Sequence, residues 1–256
     1  MAARAGKIPP QTQSSIAFTC DSERWLLINA SPDIGRQIEN TPELQPKRDS
    51  PRNSPIAAVF LTNADLDHAL GLLLLRERDE PLAVYASDTT REALRWLDAP
   101  VERSPAIRWR SLAEGLEELD CSNQSSLRPV QLGKSIAFEI EEESTGKTML
   151  IAPVVGELNA DLHAAINRAE VILFDGTFWS DDELRRVRPG ARRAREMNHL
   201  PISDGSLELL RAAPARRKIY IHINNTNPIW MRVSPERQKL ERAGIEVGYD
   251  GLELTL

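Results

Sequence analysis

Apolar positions along the chain fall into short runs separated by polar turns, and their spacing predicts the elements. Ser15–Cys20 and Arg24–Asn29 are apolar-rich runs either side of Asp21-Ser22-Glu23, the pattern of a hairpin with a short polar turn. Ala30-Ser31-Pro32-Asp33 opens a short helix, Ile34 to Asn40, and Gln45–Pro55, with Pro46, Pro51 and Pro55, reads as a loop. Ile56-Ala57-Ala58-Val59-Phe60 then predicts a strand, followed by a polar elbow through His68 and a leucine-rich helix from Leu70. Leu82–Ala86 reads as a strand and Thr89–Leu97 as a helix with a threonine cap. Ile136–Glu141 alternates like a half-buried strand and pairs with Lys147–Ala152 across Ser144-Thr145-Gly146. Helices are expected over Asp161–Glu170, Asp204–Ala213 and Pro235–Ala243. Buried strands are expected at Val171–Phe174, ending at Asp175, and at Lys218–Ile221, ending at His222. Short strands at Ile245–Val247 and Leu252–Leu254 close the chain, and residues 1–12 read as loop or disordered. Hairpins first and strands alternating with helices later fit a layered α/β sandwich better than a doubly wound sheet. No shift of composition marks a boundary, so residues 1–256 are expected to form a single domain.

Charge narrows the function. The 32 Lys and Arg are outnumbered by 38 Asp and Glu, a formal net charge of −6, and phosphate binding needs a concentrated excess of cations. No nucleic-acid partner is expected. The densest basic stretch, Arg185-Arg186-Val187-Arg188 with Arg192-Arg193 and Arg195, follows Asp181-Asp182-Glu183 and reads as a solvated face. Cys20 and Cys121 form no CxxC pairing, which indicates neither a disulfide framework nor a cysteine zinc knuckle and fits a cytoplasmic protein. No run of about 18 apolar residues exists to span a bilayer, and the first ten residues lack the apolar core of a signal peptide.

Candidate chemistry centres on histidine. Of four histidines, His163 lies on a surface-type helix without clustered partners and reads as structural. His68, in Asp65-Leu66-Asp67-His68, His199, in Met197-Asn198-His199-Leu200, and His222, in Ile221-His222-Ile223-Asn224-Asn225-Thr226-Asn227-Pro228, each fall at or beyond a strand end. Singly, each has a plain structural reading: Asp67 capping a helix, His199 satisfied in the core, His222 capping a strand. Jointly, with carboxylates beside them, they point to a metal or catalytic centre.

These residues also carry a resemblance. Thr62-Asn63-Ala64-Asp65-Leu66-Asp67-His68-Ala69-Leu70-Gly71 looks like the metallo-β-lactamase superfamily motif T-H-x-H-x-D-H-x-x-G, with Asn63 and Asp65 in place of its first two histidines. Together with Asn29-Ala30-Ser31-Pro32-Asp33-Ile34, Phe174-Asp175-Gly176-Thr177, Met197-Asn198-His199-Leu200 and the run from His222 to Pro228, it resembles the pyrroloquinoline quinone (PQQ) biosynthesis protein B family over nearly the whole chain from Thr12. The resemblance implies a metallo-β-lactamase-like αββα sandwich, here starting after the family's first strand and N-terminal cysteine cluster. One metal position of the dinuclear relatives is expected to be lost, because Asn63 is a poor ligand and Ala152-Pro153-Val154 stands where a bridging aspartate would follow its strand.

The other position keeps Asp67, His68 and His222. Two histidines and a carboxylate suit Fe(II) in a non-haem oxygenase; Zn(II) on the same ligands would suggest hydrolysis through an activated water. The ligand count does not choose between them. The family's assigned chemistry implies Fe(II), O₂ as co-substrate, and hydroxylation of the tyrosine ring of a small peptide-derived Glu–Tyr precursor. An older family proposal is transport of the quinone or its precursor, and a carrier without catalysis remains an alternative. By the same resemblance Asp175 and His199 serve orientation or proton transfer; Asp65, a carboxylate beside the ligands, is expected as a further ligand or a base. Asn63, Asn224, Asn225 and Asn227 offer amides to a zwitterionic substrate, or only fix a turn. Partners implied are the substrate and other proteins of PQQ synthesis, and a homodimer is compatible with this reading.

Overall fold

The structure, a computed structural model, describes residues 6, 8–46, 54–75, 78, 80–97, 107–112 and 125–256. Cys121, most of the Gln45–Pro55 loop and residues 1–5 and 7 lie outside the described residues. The chain groups into two compact units, Thr12–Ser126, and Leu127–Leu256 with the N-terminal stretch to Gln11.

The first unit holds a five-stranded sheet in sequence order, β1 (Ile16–Thr19), β2 (Trp25–Ile28), β3 (Ile56–Phe60), β4 (Leu82–Ala86) and β5 (Ile107–Ser111). β1 and β2 form the expected antiparallel hairpin, and β2, β3, β4 and β5 run parallel. The apolar runs are strands because both their faces are covered: Ile28, Ala58, Val59, Phe60, Leu82 and Val84 are buried. Helix α1 (Ile34–Glu39) follows β2, and α2 (Leu66–Ala69) follows β3 as a single turn that tightens into a 3-10 segment, Leu70–Leu74. Helix α3 spans Asp88–Ala93; its cap is Ser87, whose hydroxyl accepts the Thr90 N–H at 3.2 Å, rather than the expected Thr89. A 3-10 turn, Arg95–Leu97, replaces the expected end of that helix.

Gly71 explains how the elbow is fixed. Its N–H donates to the Ala30 carbonyl and the Ala30 N–H donates to the His68 carbonyl, at 2.9 and 2.7 Å. A Cβ at Gly71 would stand 2.1 Å from the Ser31 carbonyl oxygen, so only glycine allows the two segments to meet there.

The second unit holds a six-stranded sheet in the order β11-β10-β9-β8-β7-β6: β6 (Ser125–Leu132), β7 (Ser135–Glu142), β8 (Lys147–Ala152), β9 (Val171–Asp175), β10 (Arg217–Ile221) and β11 (Glu246–Val247). β7 and β8 are antiparallel; β8, β9, β10 and β11 are parallel. Helix α4 (Ala160–Arg168) is capped by Asn159, α5 spans Glu183–Val187, α6 spans Leu207–Ala212, and α7 (Pro235–Arg242) is capped by Ser234 with proline in its first turn. The start of the expected Asp204–Ala213 helix is a wider turn, Ile202–Ser206.

Two expectations fail here. Leu252–Leu254 is not a strand. β7 is buried on both faces as far as Ile140, not half-buried, because Glu139 is neutralised by a two-point pair with Arg168 at 2.7 and 3.0 Å. The arginine-rich stretch is a solvated face: Arg186 pairs with Asp182, Arg195 with Asp204 and Arg193 with Asp181.

Candidate metal centre

In the first unit the elbow between β3 and α2 exists to hold His68. Its side chain is fully buried, and its Nδ1 lies 2.7 Å from Asn63 Oδ1 and 3.0 Å from Thr62 Oγ1. Asn63 Oδ1 also accepts the Asp65 backbone N–H, while Asn63 Nδ2 donates to Asp65 Oδ2. That pattern identifies the oxygen facing His68, and an amide oxygen can only accept. His68 therefore carries its proton on Nδ1 and its lone pair on Nε2. Thr62 is set by Asn29, whose Oδ1 accepts both the N–H and the hydroxyl of Thr62, from a left-handed backbone (φ 63°) that asparagine tolerates. Asp67 Oδ2 stands 4.0 Å from His68 Nε2; two ligands at about 2.1 Å on one tetrahedral cation stand about 3.4 Å apart, so a small rotation of the Asp67 side chain brings both onto one ion.

Asp65 occupies the N-cap position of α2 but makes no side-chain cap; it is exposed and bonded to Asn63. Asp67 sits in the first turn of α2.

In the second unit β9 and β10 end side by side, at Asp175 and Ile221. Asp175 is buried and accepts four bonds: Val155 N–H at 2.9 Å, His199 Nδ1 at 2.8 Å, Thr177 N–H at 3.0 Å and the Thr177 hydroxyl at 2.6 Å. Burial alone would push its carboxyl up; the interactions with His199, its hydrogen bond among them, and with His222 and the Thr177 hydroxyl outweigh it and hold it below the ordinary carboxylate range. A carboxylate has about four acceptor sites, so Asp175 is saturated and acts as an orienting group.

The Thr177 hydroxyl also lies 2.7 Å from His222 Nδ1 and 2.9 Å from the His222 carbonyl. It has one proton, and the carboxylate is the strongest acceptor in reach, so it donates to Asp175 and accepts from His222 Nδ1–H. His222 adopts φ 54°, immediately past the strand. His199 and His222 stack at 5.5 Å between ring centroids, and Phe178 meets His199 edge-on at 5.8 Å. One ligating atom from each of Asp175, His199 and His222 lies within 4.8 Å of the other two.

All three histidines thus present Nε2 as the lone-pair nitrogen, with Nδ1–H tied to an oxygen acceptor. That is how proteins orient metal-ligating imidazoles, and the donor set fits a divalent cation. His163 is exposed on α4.

The asparagines divide. Asn227 is buried and its amide ties its loop to the one after β9, donating to the Gly176 carbonyl and accepting the Ile229 N–H. Asn63 is engaged with His68 and Asp65, whereas Asn225 is exposed. Sequence reasoning passed over Thr177 and Thr62, although both stand inside quoted motifs. It also missed Glu183, buried in an acidic run, which accepts the Trp179 N–H and the Thr226 hydroxyl, each at 2.6 Å. Burial pushes the Glu183 carboxyl up.

A family model described as a beta-lactamase superfamily domain matches residues 24–223. Coenzyme PQQ synthesis protein B of Cupriavidus taiwanensis is 41% identical, the match covering 96% of this chain and 88% of the relative. That of Methylococcus capsulatus is 39% identical with the same coverage. The chain belongs to the coenzyme PQQ synthesis protein B family. Among solved structures, zinc-bound PqqB from Methylobacterium extorquens is similar at a TM-score of 0.85 and 36% identity, covering 100% of this chain and 91% of that one. A diphosphatase from the PhnP family, TM-score 0.67 at 17% identity, shares the fold. The fold is therefore the expected metallo-β-lactamase fold.

Proposed function

We propose that this chain acts in PQQ synthesis as an iron-dependent hydroxylase of a small Glu–Tyr-derived precursor, with Asp67, His68 and His222 holding one metal and O₂ as co-substrate. Family membership supports the pathway. The observation that carries the metal reading is the common protonation pattern, Nδ1–H of His68 on Asn63 and of His222 on Thr177. Fe(II) held by two imidazoles and one carboxylate supplies the O₂ activation that ring hydroxylation requires.

The chain's own residues do the rest. Asn63 and Thr62 fix the His68 ring, Thr177 fixes His222, and Asp175 fixes His199 beside it. Asp65, exposed and bonded to Asn63, serves as a base, and Asn225 offers its amide to the zwitterionic backbone of the precursor.

A second reading is Zn(II) on the same residues activating water for hydrolysis; the similar PqqB of Methylobacterium extorquens binds zinc. The test is metal analysis of protein purified anaerobically with Fe(II) and Zn(II) both supplied, followed by O₂ uptake with a Glu–Tyr analogue. Stoichiometric iron with substrate-dependent uptake is expected. Bound zinc with hydrolysis that persists without O₂ selects the second reading, and neither activity overturns both.

A further inference from the structure

Of the three oriented histidines, His199 has the most strongly built holder. Its Nδ1–H donates to a buried carboxylate that the Val155 N–H and Thr177 also lock in place. The Val155 peptide closes the clamp from the other side: its carbonyl accepts the N–H of Leu200, the residue after His199, at 2.6 Å. Asn198, before it, is held left-handed at φ 65° against Gly156, where a Cβ would stand 2.0 Å from Asn198 Oδ1. Backbone and ring are therefore both fixed, and the fixed direction is that of Nε2.

The partner for that direction is His222. Two imidazoles bound through nitrogen at about 2.0–2.1 Å to one tetrahedral cation put their ring centroids about 5 Å apart. The His199 and His222 centroids are 5.5 Å apart. A carboxylate on Nδ1–H suits a proton-transfer histidine as well as a ligand; the neighbouring imidazole at chelating distance is what a group that only moved protons would not need.

We propose that His199 is a metal ligand through Nε2, forming with His222 a two-imidazole chelate for a divalent cation, with Asp175 as the orienting carboxylate. This rests on the reading of His222 as a ligand and replaces a proton-transfer role for His199. The second unit thereby holds a cation by two nitrogens of its own.

Co(II) bound to the full chain is the probe. In its proton NMR spectrum each ligating imidazole with a protonated Nδ1 contributes one strongly shifted signal that exchanges with solvent. Three such signals are expected for His68, His199 and His222, with one lost in His199→Ala. Co(II) affinity is expected to fall ten- to hundredfold in Asp175→Asn, as for other orienting partners, and at least as far in His199→Ala. Two signals, both surviving in His199→Ala, would overturn the chelate and leave the Asp67, His68 and His222 set standing. No shifted exchangeable signal at all would overturn both assignments. The count on the unmodified protein decides the matter even if a variant fails to fold.

Discussion

His68 and His199 are both buried imidazoles whose Nδ1–H is held by oxygen, and they differ in the charge of the holder. In the first unit the holder is a neutral amide, Asn63, five residues upstream in the same elbow. In the second it is the carboxylate of Asp175, 24 residues away on β9. A neutral holder sets direction and tautomer without adding charge. A carboxylate adds negative charge behind the ring, which makes Nε2 a stronger donor to a cation. The cost is a buried charge, tolerable only because four donors surround it.

The two holders differ most in what their loss costs. Asp175→Ala leaves the Val155 and Thr177 N–H groups and His199 without their acceptor and should cost about 3–5 kcal/mol. Asn63→Ala should cost about 1–3 kcal/mol, since one neutral acceptor is lost. Urea unfolding of both variants measures the gap, and equal losses would mean that holder charge is irrelevant to stability.

The two units also differ in how closely a glycine lets the chain approach. Gly71→Ala drives a Cβ into the Ser31 and Ala30 carbonyls, at 2.1 and 2.7 Å, and backbone cannot easily give way. A loss of about 3 kcal/mol is expected. Gly156→Ala meets instead the side-chain amide of Asn198, which can rotate. About 1 kcal/mol is expected there, with its effect falling on His199 and metal affinity, read by Co(II) titration.

Glu183 provides a pH signature in the second unit. Its carboxyl is raised by burial above the ordinary value of 4.5, so the folded state binds its proton more tightly than the unfolded chain does. Stability from this group is therefore full below about 4.5 and declines as pH rises through the folded value. Glu183→Gln should flatten that decline in unfolding free energies measured from pH 4 to pH 8, and an unchanged slope would show that Glu183 titrates normally. The smallest effect belongs to His163, exposed on α4: His163→Ala should change stability by no more than about 0.5 kcal/mol and leave metal binding intact.

The elements around the site were legible where the cause is local. Ile56–Phe60 and Val171–Phe174 read as strands because continuous apolar runs mark strands covered on both faces. The polar elbow at Leu61–His68 was legible because packing asks for no such cluster between a strand and a helix. β5 was not foreseen, since Arg108 and Arg110 interrupt Ile107-Arg108-Trp109-Arg110-Ser111 and only its neighbour β4 makes it a strand. Leu252–Leu254 failed for the opposite reason: its alternation is right, but pairing is a property of neighbours.

By itself the sequence determined the inventory: three histidines in a motif set that also carries carboxylates and names the family, and the glycine at which two backbones meet. Residues that act within a few positions of one another, such as Asn63 with His68, are determined there too, because a short elbow has few ways to close. Only the tertiary structure decided that Asp175, Thr177, His199 and His222 converge, since sequence distances of 2 to 45 residues are bridged by β9 and β10 running parallel to a common end. It also decided each tautomer. A ring nitrogen's proton is set by the acceptor beside it, and which acceptor that is depends on folding alone.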